Sequence, residues 1–298
     1  MSREPVIIEA ALNGVTPKAV NPKVPLAPGE IADEAIQCLE AGAAIIHSHN
    51  AEYAVDGARA AELYLEAWRP VLRARPDAIL YPTIGFGPRI EERYAHFPVL
   101  AEVGAIRMGL LDPGSVNLGG ADEEGLPAPV DVVYVNSYRD IRHEAAECER
   151  LRLGPSTSIF EPGFLRIALA FHRAGRMPPG ALVKLYFGGD RGYLGERNSG
   201  VTFGLPPTRL ALEVYLEMLE GCGLPWAVAV IGGDVVESGM ARWALERGGH
   251  VRVGLEDFGG SRTPANEELV REVAALAREV GRPVASCEDA ARILGLPR

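Results

Sequence analysis

The sequence predicts an α/β protein of the (β/α)8, TIM-barrel class. Short apolar runs of β-type alternate with longer segments of helical periodicity, which signals crossover units and a parallel sheet. Eight such runs fall within about 250 residues, each followed by a helical segment, which is the arithmetic of a closed barrel. No linker composition, low-complexity tract or internal repeat divides the 298 residues. One domain is therefore expected over 1–298, closing with a helical extension at about 285–298.

The strands read "VIIEAAL" (Val6 to Leu12), "AAIIHSH" (Ala43 to His49), "AILYPTI" (Ala78 to Ile84), "AIRMGL" (Ala105 to Leu110), "STSIFE" (Ser156 to Glu161), "LVKLYFG" (Leu182 to Gly188), "WAVAVIG" (Trp226 to Gly232) and "HVRVGLE" (His250 to Glu256). Between the first two, "PGEIADEAIQCLEAGA" has apolar residues at Ile31, Ala35, Ile36 and Leu39 and a glycine stop at Gly42. Further helical segments are Arg59 to Arg73, Arg139 to Leu153, Thr208 to Gly221 and Glu267 to Val280. Two stretches fit the repeat less well. "VDVVYVNS" (Val130 to Ser137) reads as a ninth strand or as a strand-like lead into the next helix, and Gly189 to Pro207 reads as a long Gly-rich loop, a lid or binding loop.

Composition excludes several classes of partner. Asp plus Glu number 40 against 30 Lys plus Arg, for a net charge of −10, so nucleic acid and anionic membrane are not expected. No apolar run reaches the roughly 20 residues of a membrane span, and the N-terminal apolar stretch, interrupted by Glu9, is too short for a signal peptide. Cys38, Cys148, Cys222 and Cys287 are scattered without CxxC spacing, which fits a reducing, cytoplasmic compartment.

In this barrel class the chemistry lies at the C-terminal ends of the strands. His47 and His49 close the second strand, and period-two alternation sends both imidazoles to one face, where they can converge on one ion. With six histidines in the chain, such a pair arises by chance in roughly one sequence in ten, so its position carries more weight than the motif. The eighth strand places Arg252, Gly254 and Glu256 on one face by the same alternation, with Asp257 at the rim. Two imidazoles and a carboxylate form an open three-ligand set for Zn²⁺. An Arg252–Glu256 ion pair is the competing structural explanation, because charges buried in a strand need a partner either way. Asn13, Thr83, Asp112, Asn117, Glu161 and Asp234 also fall at or after strand ends, where each by itself reads as a cap or turn residue. His250, at the start of its strand, and His96, His143 and His172, in helical segments, read as structural or surface residues.

"AALNG", "EAGAAIIHSH", "PWAVAVIGG", "GGHVRVGLED" and "ANEELVREVAALAREVGRPVASCEDAARILGL" resemble the β-keto acid cleavage enzymes over about Ile7 to Leu296. The resemblance implies a (β/α)8 enzyme that converts a β-keto acid plus acetyl-CoA into acetoacetate and a new acyl-CoA. It implies zinc, or another divalent transition metal, on His47, His49 and Glu256. Asp257, oriented and kept ionised by Arg252, is then the base, and Asn13, Thr16, Thr83, Gly85, Leu110 and Asp112 are expected to contact substrate. A homo-oligomer, dimer or tetramer, is also implied.

Members that take the aminated 5-amino-3-oxohexanoate carry a glutamate where this chain has Thr16, and a threonine and an asparagine where it has Leu110 and Asp112. A threonine cannot neutralise an ammonium, so a different β-keto acid is expected. For acetyl-CoA, the Gly189 to Pro207 loop and Gly232-Gly233 are candidate neighbours of the phosphates. The rival reading is a metal-dependent hydrolase of the amidohydrolase kind, which also uses HxH on a barrel strand. Those enzymes place the pair on the first strand and add further histidines, which the strand ends here lack.

Overall fold

A computed structural model describes residues 4–50, 52, 55–191 and 200–297. The strands are β1 (Ile8–Ala11), β2 (Ile45–Ser48), β3 (Ile79–Pro82), β4 (Met108–Leu110), β5 (Val116–Asn117), β6 (Val133–Tyr134), β7 (Gly154–Ile159), β8 (Leu182–Gly188), β9 (Trp226–Ile231) and β10 (His250–Val253). The helices are α1 (Pro28–Ala41), α2 (Gly57–Ala74), α3 (Ile90–Arg93), α4 (His96–Glu102), α5 (Tyr138–Leu151), α6 (Pro162–Arg173), α7 (Arg209–Leu219), α8 (Met240–Glu246), α9 (Asn266–Glu279) and α10 (Cys287–Leu294).

Eight of the strands form one parallel sheet in the order β3-β2-β1-β10-β9-β8-β7-β4, with helices around it, in the nearly closed barrel that the repeat predicts. β3 and β4 face each other across the remaining seam, which is bridged by the hydrogen bond from Arg107 N to Leu80 O (3.4 Å). Two structural details differ from the sequence expectation. Val133–Tyr134, within "VDVVYVNS", is an extra strand shortly before α5, but it pairs antiparallel with Val116–Asn117 in a small hairpin outside the barrel. His49, Thr83, Glu161 and Glu256 lie just beyond the last paired residue of their strands, because the ladders end where the loops turn outward over the mouth.

Local rules explain the scaffold. In α2, Ala61, Tyr64, Trp68 and Val71 recur at helical spacing and are buried, and Asp56 caps the first turn by accepting a hydrogen bond from Arg59 N (2.9 Å). Trp68 is fully buried and its indole N–H donates to Ser48 Oγ (3.1 Å), which ties the helix to the outward face of β2. Because Ser48 points out to α2, alternation turns its neighbour His47 inward. No helix among the described residues is long and apolar enough to cross a membrane.

Candidate active site

Three side chains meet at the mouth above β1, β2 and β10. His47 Nε2 lies 3.4 Å from Glu256 Oε2, His49 Nε2 lies 3.5 Å from Glu256 Oε1, and one ligand atom from each residue falls within 4.8 Å of the others. The His47 ring is held by Tyr81, on which it stacks (centroids 4.5 Å apart, 29°), and its Nδ1 is 3.2 Å from the Tyr81 carbonyl. A carbonyl only accepts, so the proton sits on Nδ1 and the Nε2 lone pair faces Glu256. Burial pushes the His47 pKa well below its ordinary value, which keeps the ring neutral. A lone pair therefore confronts a carboxylate oxygen with no proton between them. Glu256 Oε2 is buried without a hydrogen-bond partner, which is costly unless a cation joins the group. This donor set, two imidazoles and one carboxylate with coordination positions to spare, fits a divalent transition metal.

His49 is aimed by Asn13. Its backbone N–H donates to Asn13 Oδ1 (2.8 Å), while Asn13 Nδ2 donates to the carbonyls of His49 and Pro25 (3.0 Å each). With Oδ1 also accepting from Gly14 N (2.9 Å), the Asn13 amide is fully committed to backbone and braces the β1–α1 loop against the segment that carries His49.

Glu256 reaches the site by a turn and not by strand alternation, as the sequence suggested. β10 ends at Val253, and Gly254 has φ +148°, where a Cβ would lie 2.0 Å from Ala11 O. The chain folds back there, with Glu256 N donating to Ala11 O (3.2 Å) and Asp257 N to Gly254 O (3.2 Å), so the two consecutive acids both face inward. Gly14, at φ +53°, completes the fit, since a Cβ would strike Glu256 Cγ at 2.3 Å.

Arg252 organises the charges below. Its Nη2 lies 2.8 Å from Glu256 Oε1, its Nε donates to Asp257 Oδ2 (2.7 Å) and its Nη1 donates to Glu9 Oε1 (2.8 Å). The ion pair weighed against a metal thus exists on one Glu256 oxygen, while the other oxygen stays unpartnered. Burial opposes the charge on Glu256, but Arg252, His47 and His49 together hold it well below the usual carboxylate range. For Asp257 the balance goes the other way: burial outweighs Arg252 and raises its pKa, giving it more affinity for a proton than the expected full ionisation implied.

Sequence reasoning missed Glu9, Tyr81 and Lys184. Lys184 Nζ donates to Tyr81 Oη (2.8 Å) and Glu9 Oε1 (3.2 Å), Tyr81 Oη donates to Glu9 Oε1, and all three are buried. Burial raises the Glu9 carboxyl, but Lys184 and Arg252 overcome it and lower the pKa to about 2. The available signal was a lone charge inside each of "VIIEAAL" and "LVKLYFG": in a barrel strand such a residue must point inward and find a partner.

The remaining expected contacts divide into two groups. Thr83 and Gly85 line a cleft beside His49 together with Phe86 and His96, where His96 Nε2 donates to Thr83 O (2.8 Å) and Gly85 N donates to Arg93 O (2.8 Å). Thr16 Oγ1 donates to Leu255 O (2.8 Å), bracing the turn that carries Glu256. On the β4 side, Leu110 is buried and Asp112 is enclosed: Oδ2 accepts from Tyr134 Oη, Oδ1 from Ser158 N (3.3 Å), and its own N–H donates to the buried Glu144 (2.8 Å). Burial raises both carboxyls, Glu144 further through the nearby Asp112. Asp234 is a turn residue, accepting from Val236 N (2.8 Å) and Glu237 N (3.1 Å). The backbones of Gly189, Gly232 and Gly259 pack against one another at the β8–β9 rim, and residues 192–199 of the Gly-rich loop lie outside the described residues.

Comparison with known proteins identifies the lineage. The family model described as beta-keto acid cleavage enzyme matches residues 5–296. The 3-keto-5-aminohexanoate cleavage enzyme of Acetoanaerobium sticklandii is 30% identical over 302 residues, covering 99% of this chain and 100% of that protein. The 3-oxoadipate:acetyl-CoA acetyltransferase of Cupriavidus necator is 28% identical over 302 residues, covering 99% and 96%. Among solved structures, the binary complex of ObcA with oxaloacetate shares the fold, with TM-score 0.68 and 19% identity over 93% of this chain and 68% of that one. Matched along nearly its whole length, the chain belongs to the β-keto acid cleavage enzyme family.

Proposed function

We propose that this chain is a zinc-dependent acyltransferase that takes a β-keto acid and acetyl-CoA to acetoacetate and a new acyl-CoA. In the net reaction the C2–C3 bond of the keto acid breaks, C2 bonds to the acetyl carbonyl carbon, and the CoA sulfur passes from the acetyl group to the departing acyl tail. His47, His49 and Glu256 would hold the metal, which when bound supplies Lewis-acid withdrawal of electron density from the substrate's carboxylate and keto oxygens. Asp257 takes the C2 proton and returns it to acetoacetate, a task suited to a carboxyl whose pKa burial has raised. Arg252 fixes both Asp257 oxygens and one Glu256 oxygen, so the base and the ligand keep a constant relation. Glu9, Lys184 and Tyr81 fix the third corner of that guanidinium and the plane of His47.

The observation that carries this reading is the convergence of His47, His49 and Glu256 around the unpartnered Glu256 Oε2, with Asp257 beside it. Metal content and acyl-CoA formation, measured together on wild type and His49→Ala, test it: the variant should lose both, and retained zinc with undiminished activity would end the ligand assignment. The 5-amino-3-oxohexanoate substrate is disfavoured, because the Thr16 hydroxyl is uncharged and already bonded to Leu255 O. A panel with acetyl-CoA in which the aminated acid outpaces neutral and acidic β-keto acids would reverse that choice. Turnover without acetyl-CoA would favour a hydrolase. The same reading takes the enzyme to be cytoplasmic, which the four free cysteines support, and to be a homo-oligomer.

A further inference from the structure

The flank of the mouth opposite the histidines is built of aromatic rings. The Tyr186 ring, near the end of β8, lies 5.5 Å from the Arg252 guanidinium carbon and 5.6 Å from Lys184 Nζ, so it borders the charge network directly. It stacks on Phe160 (4.8 Å, 30°), which meets Phe203 edge-on at 6.0 Å and Tyr134 at 5.9 Å. Val116 and Leu118, from the β5 side of the hairpin, and Val201 pack into the same cluster with Ala229 and Ile231. Tyr186 and Phe203 are buried, but Phe160, Val116, Leu118 and Val201, which pack against that cluster, are only partly covered and leave apolar surface beside it.

Among the described residues, the charged groups Asp112, Glu161 and Lys184 on this flank are committed elsewhere. Asp112 is closed by Tyr134 and Ser158 N, Glu161 Oε1 accepts from Gly204 N (2.8 Å), and Lys184 is held by Glu9 and Tyr81. A charged tail placed here would be desolvated without a counter-charge from these residues, whereas an apolar tail would cover surface now facing water.

We propose that the acyl tail of the keto acid is uncharged and apolar and lies along the wall formed by Tyr186, Phe160 and Phe203, with the β5–β6 hairpin as its outer side. This rests on the reading that the chain cleaves β-keto acids with acetyl-CoA. Three acids of equal carbon length separate tail charge from tail size: 3-oxohexanoate is neutral, 5-amino-3-oxohexanoate cationic and 3-oxoadipate anionic at the far end. Acetoacetate with isotopically labelled acetyl-CoA undergoes the same bond changes as a degenerate exchange and tests the machinery with the smallest tail.

The neutral acid should exceed both charged ones in kcat/KM by at least about tenfold, and each added methylene should raise kcat/KM roughly fourfold until the wall ends. In Phe160→Ala the advantage of 3-oxohexanoate over acetoacetate should shrink, mainly through KM. Leu118→Lys, at a partly exposed hairpin position, should shift preference toward 3-oxoadipate. Label exchange with acetoacetate combined with a charged acid equal to or better than the neutral one would overturn the tail assignment, as would unchanged preferences in both variants. No exchange and no acyl-CoA from any acid would overturn the β-keto acid reading, and the tail assignment with it.

Discussion

The two ends of the barrel use histidine and arginine in opposite ways. At the N-terminal end, His250 Nδ1 accepts a hydrogen bond from Ile7 N (3.1 Å), and Arg282 donates to the carbonyls of Glu4 (3.0 Å), Leu245 (3.0 Å) and Gly249 (2.6 Å). Backbone groups answer these side chains, and they staple the first and last segments of the chain together. At the C-terminal end, His47, His49 and Arg252 converge on carboxylates, and two of their oxygens, Glu256 Oε2 and Glu9 Oε2, have no hydrogen-bond partner. The residue types are the same. What separates the two clusters is the kind of partner: backbone groups at one end, and charged side chains gathered on one another at the other.

That contrast can be tested from the strongest effect down. Glu256→Gln should lose bound zinc and at least about a thousandfold in turnover, read by metal analysis and acyl-CoA formation, because the ligand charge disappears while the side-chain size is kept. Asp257→Asn should retain metal yet lower kcat by about 100-fold or more, since an amide cannot take the C2 proton. A variant that lost metal as well would place Asp257 among the ligands. At the opposite end, Arg282→Met should cost about 3 kcal/mol of stability by denaturant unfolding while kcat stays as in wild type, because buried carbonyls lose charged donors far from the chemistry. A fall in kcat at full metal loading would show that the two ends are not independent.

The smallest effect is a pH dependence. Burial, followed by the Arg282 charge, lowers the His250 pKa from 6.5 to about 3, so the folded protein holds this ring neutral where the unfolded chain protonates it. Its contribution to stability is therefore complete above about pH 6.5 and drains away as the pH falls toward 3. Between pH 6.5 and 5 this amounts to about 1–2 kcal/mol, on the order that linkage allows for one group. His250→Asn should show a shallower loss over that interval, and an identical slope would remove His250 from the account.

Much of the barrel was legible because its code is local. The run in "LVKLYFG" and the pair in "HSH" follow from period-two alternation and the position of strand ends. The Glu256–Asp257 turn was not legible in its geometry, because it depends on Gly254 meeting Ala11 O, a contact between chain segments more than two hundred residues apart. The Glu9–Lys184–Tyr81 group was hidden for a related reason. Each member is a single polar residue in its own strand, and only closure of the sheet brings β1, β3 and β8 to one interior. The β5–β6 hairpin was obscured by its shortness, two residues in each strand, which leaves no periodicity to read.

The seam between β3 and β4 gives the molecule an uneven stiffness. β8 and β9 are paired over six consecutive residues, whereas the seam has the Arg107–Leu80 bond. Around the ring, His47 and His49 belong to the leaf that ends at β3, Glu256 follows β10, Tyr186 lies on β8, and Phe160 with the hairpin belongs to the leaf that ends at β4. The barrel is thus built like a book whose spine runs through β8, β9 and β10 and whose fore-edge is lightly fastened. His47 and His49 sit on one side of the lightly fastened fore-edge and the β5–β6 hairpin on the other, while Glu256 and Tyr186 stay with the spine.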